Sequence, residues 1–182
     1  MANLITLARI GLIIPFIVSF TWNAGWNMNA ALIIFVVAAL TDFLDGWVAR
    51  ARNETSALGA ALDPLADKLL ITAALILLAR NGVINGIATY AMLAIILREL
   101  LISGLREAVA QNDGSLPVTK LAKWKTTVQI IAVGLLLAGA PNGLIGQPIL
   151  PLATGFLWLA AALTVWTGGL YALHATRFLR GG

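Results

Sequence analysis

Apolar residues run along this chain in six long stretches, at 4–20, 30–48, 57–79, 83–103, 121–140 and 149–173, separated by polar or turn-forming pieces such as WNAGWNMN, RNG and APNGLIGQP. Crossing a hydrocarbon layer of about 30 Å takes roughly 20 residues of helix, so each stretch is a candidate span. In lipid a segment must satisfy its own backbone polar groups, which favours helices for apolar runs of this length. The pattern therefore predicts an all-α integral membrane protein with six transmembrane helices, organised as a single domain over residues 1–182. Arg9 ahead of the apolar residues 10–20 superficially fits a secretory leader. No small-residue cleavage site follows, however, and Asn3, Thr6 and Arg9 lie within the segment, so it is expected to stay as the first helix.

Composition agrees with that reading. Charged residues make up 11% and hydrophobic residues 60%, and mean hydropathy is +0.91, against roughly 25% charged in an ordinary soluble domain. The chain has no cysteine, which excludes disulfides, thiolate nucleophiles and thiolate metal ligands. Lysines and arginines are strongly asymmetric across the predicted loops. With the N-terminus inside, Arg50, Arg52, Arg106, Lys120, Lys123, Lys125, Arg177 and Arg180 face the cytoplasm and Arg80 faces out. Both termini are thus expected in the cytoplasm, in a bacterial inner membrane. The net charge of +4 then belongs to an anionic leaflet rather than to nucleic acid. Trp22 and Trp26 fall at the opposite interface, as an aromatic belt does.

One segment breaks the apolar pattern. Residues 41–70, TDFLDGWVARARNETSALGAALDPLADKLL, place Asp42 and Asp45 near the end of the second span and Asp63 and Asp67 near the start of the third. Spacings of i,i+3 and i,i+4 put each pair on one helix face, and the short turn between brings all four to the same side of the membrane. An intramembrane aspartate costs up to about 2.5–3.5 kcal/mol, and four together also repel. Two divalent cations would balance the four charges, and an all-oxygen ligand set selects Mg²⁺ or Mn²⁺. Asp63 before Pro64 also fits a helix cap, and Asp45 could pair with Arg50 or Arg52, but such local roles do not account for all four acids.

Written as Asp42-x2-Asp45-Gly46-x2-Ala49-Arg50-x8-Gly59-x3-Asp63-x3-Asp67, the segment resembles the signature of the CDP-alcohol phosphotransferases at every fixed position. The resemblance implies that family's six-helix membrane fold, usually a homodimer, and transfer of a substituted phosphate from a CDP-linked donor to an alcohol with release of CMP. NLITLARI, LRELLISGLREAVA and KLAKWKTTVQ are similar to segments of the family's bacterial phosphatidylglycerophosphate synthase branch. That likeness implies CDP-diacylglycerol as donor and glycerol 3-phosphate as acceptor. The last helix offers no motif of this kind.

By resemblance, Asp42, Asp45 and Asp63 hold one cation, Asp42, Asp63 and Asp67 reach a second, and Asp67 is the general base. Asn3, Thr6, Asp45, Gly46, Ala49, Arg50 and Gly59 match positions at the CDP site. Both glycines also suit close helix packing, and a cap is the competing role for Asn3. Arg98, Arg106, Lys123 and Lys125 are candidates for the acceptor's phosphate. Counted from a helix starting at Val83, Arg98 falls about 22 Å along, at the end where the aspartates lie. Inside-positive anchoring competes for the lysines, and ion pairing with neighbouring helices competes for Arg98 and Glu99. His174 is expected to be interfacial and inert. Phosphatidylglycerol, inositol phosphate, serine and choline-type amino alcohols are the alternative acceptors. Outside the family, a cation path or an inactive scaffold would also keep the carboxylates.

Overall fold

The computed structural model describes the backbone of residues 2–21, 25–52, 57–111 and 120–181, and within them the side chains of 8–21, 25–41, 66, 68–111, 121, 124–176 and 178. Among the described residues six α-helices follow in order: α1 Ala2–Ser19, α2 Asn27–Arg52, α3 Ala57–Arg80, α4 Ala88–Ala110, α5 Lys120–Gly139 and α6 Leu150–Gly181, with one 3₁₀ turn at Gln147–Ile149 before α6. Each coincides with most of one apolar stretch, but the ends differ. α2 and α6 outrun their apolar stretches because the backbone ladder continues into the charged segments that hydropathy excludes.

The start of α4 moves most. Gly82 closes α3 at φ 72°, a left-handed conformation natural to glycine, and Val83 N and Ile84 N both donate to Leu78 O at 2.9 and 3.2 Å. Residues 83–87 are thereby drawn into a turn, and the helix begins five residues later than the apolar run. Gly146, at φ 78°, makes the corresponding turn before α6, where Ile145 N and Gly146 N donate to Ala138 O at 2.9 and 3.0 Å.

The chain divides into two compact units, Met1–Ile84 with Val133–Ala153, and Asn85–Ala132 with Thr154–Gly182. In the first, α1 packs on α2 and α3, which also touch each other. Phe16 is fully buried there, with ring centroids 5.3 Å from Phe20 and 6.3 Å from Phe35. Small residues Ala31, Ala38, Ala66 and Ala74 are buried too, which lets helices approach closely.

The second unit buries several polar and charged side chains within its apolar core and exposes large apolar ones. Leu97, Leu100 and Leu101 are 63, 65 and 60% exposed, whereas Arg98 between them is 9% exposed. The same reversal recurs at exposed Trp124 beside buried Lys125, and at exposed Val165 and Trp166 between buried Thr164 and Thr167. Leucine and tryptophan facing outward around buried charge is the arrangement of helices solvated by lipid. Among the described residues, Ala88–Ala110 and Gln147–Thr176 are long and apolar enough to cross a membrane. The apolar parts described for the helices at 8–19, 27–41 and 124–139 are shorter.

Candidate functional site

Helical backbone runs through both aspartate pairs, Asp42 and Asp45 on α2 and Asp63 and Asp67 on α3, and these helices touch. The i,i+3 and i,i+4 registers are therefore those of real helices. Asn3 and Thr6 lie on α1, Gly46, Ala49 and Arg50 on α2, and Gly59 on α3. The side chains of all these residues, and of Lys123, lie outside the described residues.

The donor set itself suits a hard cation. Four carboxylates on two touching helices offer oxygen ligands alone, and the chain has no thiol to compete for a softer metal.

Arg98, Arg106 and Lys125 belong to the second unit, where a polar seam joins α4, α5 and α6. Arg98 sits ten residues into α4, about 15 Å from its start at a rise of roughly 1.5 Å per residue. That is close to mid-helix, because α4 begins at Ala88 rather than Val83.

Its Nη1 donates to Glu99 Oε1 at 3.2 Å and its Nη2 to Thr167 Oγ1 at 3.0 Å. Lys125 Nζ donates to the same Glu99 oxygen. One turn along α5 from Lys125, Gln129 Nε2 donates to Thr164 Oγ1 at 3.0 Å. Arg98 Nε is buried and has no hydrogen-bond partner among the described residues.

Arg106, two turns beyond Arg98, places Cζ 5.1 Å from the centroid of the Tyr171 ring, and Arg98 Cζ stands 5.8 Å from that centroid. Stacking of guanidinium on an aromatic face restrains both arginines while leaving N–H edges for anions. His174 is exposed, and its Nδ1 lies 2.7 Å from Leu170 O.

Two cations against one carboxylate leave the Arg98–Glu99–Lys125 cluster with a charge of +1. Arg98 and Lys125 thus both pair with a neighbouring acid at a buried position. A buried donor without a partner costs about 1–3 kcal/mol. A guanidinium is a group whose geometry suits phosphate oxygens.

Thr164, Thr167, Gly168 and Tyr171 are partners that the motifs do not reveal. The trace of the three hydroxyl-bearing ones in the sequence is a line at i, i+3 and i+7 within a mostly apolar helix.

A family model described as CDP-alcohol phosphatidyltransferase matches residues 1–166. The chain is also similar to proteins named CDP-diacylglycerol--glycerol-3-phosphate 3-phosphatidyltransferase. One from Rickettsia bellii is 38% identical, covering 93% of this chain and 91% of the relative. One from Cereibacter sphaeroides is 33% identical, covering 98% and 96%. An Arabidopsis thaliana protein of the same name, numbered 2, is 36% identical, covering 97% and 80%.

Proposed function

The chain belongs to the CDP-alcohol phosphatidyltransferase family, and from that premise we propose that it moves the phosphatidyl group of CDP-diacylglycerol to sn-glycerol 3-phosphate, giving phosphatidylglycerophosphate and CMP. The observation that carries this reading is similarity over more than nine-tenths of the chain to proteins named for that reaction. The enzyme works in this proposal as a six-span homodimer of a bacterial inner membrane, with both termini and the active site on the cytoplasmic side. The lipid-facing leucines of the second unit and the inside-positive loops support that placement.

In the proposed reaction an acceptor hydroxyl oxygen attacks the phosphorus that carries diacylglycerol. The bond from that phosphorus to the CMP oxygen breaks, and CMP leaves with the electron pair. Asp67 takes the hydroxyl proton, which needs a carboxylate ionised and within hydrogen-bond reach. Asp42, Asp45 and Asp63, with Asp67, would hold two divalent cations, Mg²⁺ or Mn²⁺. Bound there, such ions would supply charge neutralisation on the diphosphate.

Arg50 contacts the donor's phosphates, and Asn3, Thr6 and Ala49 line the nucleotide site. Gly46 and Gly59 let the nucleotide approach the backbone. Arg98, Arg106, Lys123 and Lys125 take the acceptor's phosphate. A dianionic acceptor suits a seam on which a guanidinium and an ammonium group converge.

Purified enzyme supplied with CDP-diacylglycerol and Mg²⁺, and with each acceptor in turn, tests the assignment. CMP release is expected with glycerol 3-phosphate. Release only with inositol phosphate, serine or phosphatidylglycerol would move the enzyme to another branch of the family, and cation flux in liposomes without turnover would remove it from catalysis.

A further inference from the structure

The last helix lacks any residue of the signature, yet Arg98 lies directly against it. A Cβ built on Gly168 would stand 2.8 Å from Arg98 Cγ, 3.1 Å from Nε and 3.5 Å from Cδ. Cγ is the fixed end of the side chain, so the flexible tip cannot absorb that overlap and the whole arginine would have to move. The neighbouring Gly169 is different, because a Cβ there would meet nothing within 4 Å. The space at Gly168 is therefore specific to the arginine stem rather than a general looseness of α6.

Thr167 fixes the other end. Its hydroxyl donates to Leu163 O at 2.8 Å within α6 and accepts from Arg98 Nη2 at 3.0 Å. With its proton committed to the backbone, Oγ1 presents lone pairs to the guanidinium. Tyr171, one turn further on, adds its ring face 5.8 Å from Cζ. α6 thus meets the stem, one terminal nitrogen and the guanidinium carbon of Arg98. Nη1, shared with Glu99, is the nitrogen that α6 leaves to the rest of the seam.

We propose that Gly168 and Thr167 are positioning residues that seat Arg98 for the acceptor's phosphate, which makes the last helix a determinant of acceptor binding. The inference rests on the reading that Arg98 contacts that phosphate, and the experiment separates the two. Initial rates are measured for purified wild type, Gly168→Ala, Thr167→Val, Thr167→Ser, Gly169→Ala and Arg98→Ala. Glycerol 3-phosphate is varied at saturating CDP-diacylglycerol, and then the reverse.

Gly168→Ala and Thr167→Val are expected to raise KM for glycerol 3-phosphate about tenfold, with kcat and KM for CDP-diacylglycerol within about twofold of wild type. Thr167→Ser keeps the hydroxyl and Gly169→Ala touches nothing, so both should match wild type. Thr167→Val is nearly isosteric and decides the matter if Gly168→Ala does not fold. An Arg98→Ala variant with raised KM beside unchanged Gly168→Ala and Thr167→Val overturns the positioning role alone. An unchanged KM in Arg98→Ala overturns the phosphate reading beneath it. Equal losses toward both substrates in Gly168→Ala and Thr167→Val would make α6 merely structural, and that too overturns the proposal.

Discussion

Lys125 on α5 donates from Nζ to Oε1 of Glu99 on α4, the same oxygen that Arg98 Nη1 reaches at 3.2 Å, so one carboxylate ties two cations inside the second unit. The two sides of this contact are unequal. Removing Glu99 leaves two buried cations without their shared counter-charge, whereas removing Lys125 leaves Glu99 its bond to Arg98.

Glu99→Ala should therefore destabilise the protein by about 3–5 kcal/mol, the range for breaking a buried ion pair, and Lys125→Met should cost clearly less. Unfolding of the detergent-solubilised variants, followed by circular dichroism against denaturant, measures both. A loss in Lys125→Met as large as that in Glu99→Ala would mean that Glu99 is not the hub of the seam.

The absence of native cysteine makes membrane topology open to a clean test. Asn85 and Gln111 are exposed and lie just outside the two ends of α4. In intact inverted and right-side-out vesicles, Asn85→Cys should react with a membrane-impermeant maleimide from the outer side and Gln111→Cys from the cytoplasmic side. Reaction of both from one side would contradict a membrane crossing by α4.

Asp67→Asn removes the proposed proton acceptor while keeping side-chain size. Turnover should fall by roughly 10²–10⁴-fold, with the thermal midpoint close to wild type. Chelation should abolish wild-type activity, and added Mg²⁺ or Mn²⁺ should restore it. Asp42→Asn should need a higher cation concentration for half-maximal rate. Full activity in Asp67→Asn would remove the general-base assignment, and full activity in chelator would remove the cation site.

The helices were legible because each apolar run needs a helix to satisfy its backbone in lipid. Their ends were not, since hydropathy stops where charge begins while the hydrogen-bond ladder of α2 continues to Arg52 and that of α6 to Gly181. The late start of α4 depends on Gly82 and Gly86 at positive φ, which a run of apolar residues does not announce.

Arg98 and Glu99 stood out as charges in an apolar stretch, yet spacing along one helix says nothing about which neighbours it meets. Lys125, a candidate for the acceptor's phosphate with anchoring as the competing role, is buried on Glu99, a partner that its position in the sequence does not announce. Thr164 and Thr167 stayed hidden because a threonine in a membrane helix can bond its own backbone, as Thr167 does to Leu163, without any tertiary partner. The aspartates, in contrast, were read from an exact spacing that needs no knowledge of neighbours.

Radiolabelled sn-glycerol 3-phosphate tests the whole account in one assay with purified enzyme, CDP-diacylglycerol and Mg²⁺. Label should pass into the chloroform-soluble fraction as phosphatidylglycerophosphate, one equivalent for each CMP released, and Asp67→Asn should stop both together. CMP release with the label still in the aqueous phase would contradict the account, because glycerol 3-phosphate would then not be the acceptor.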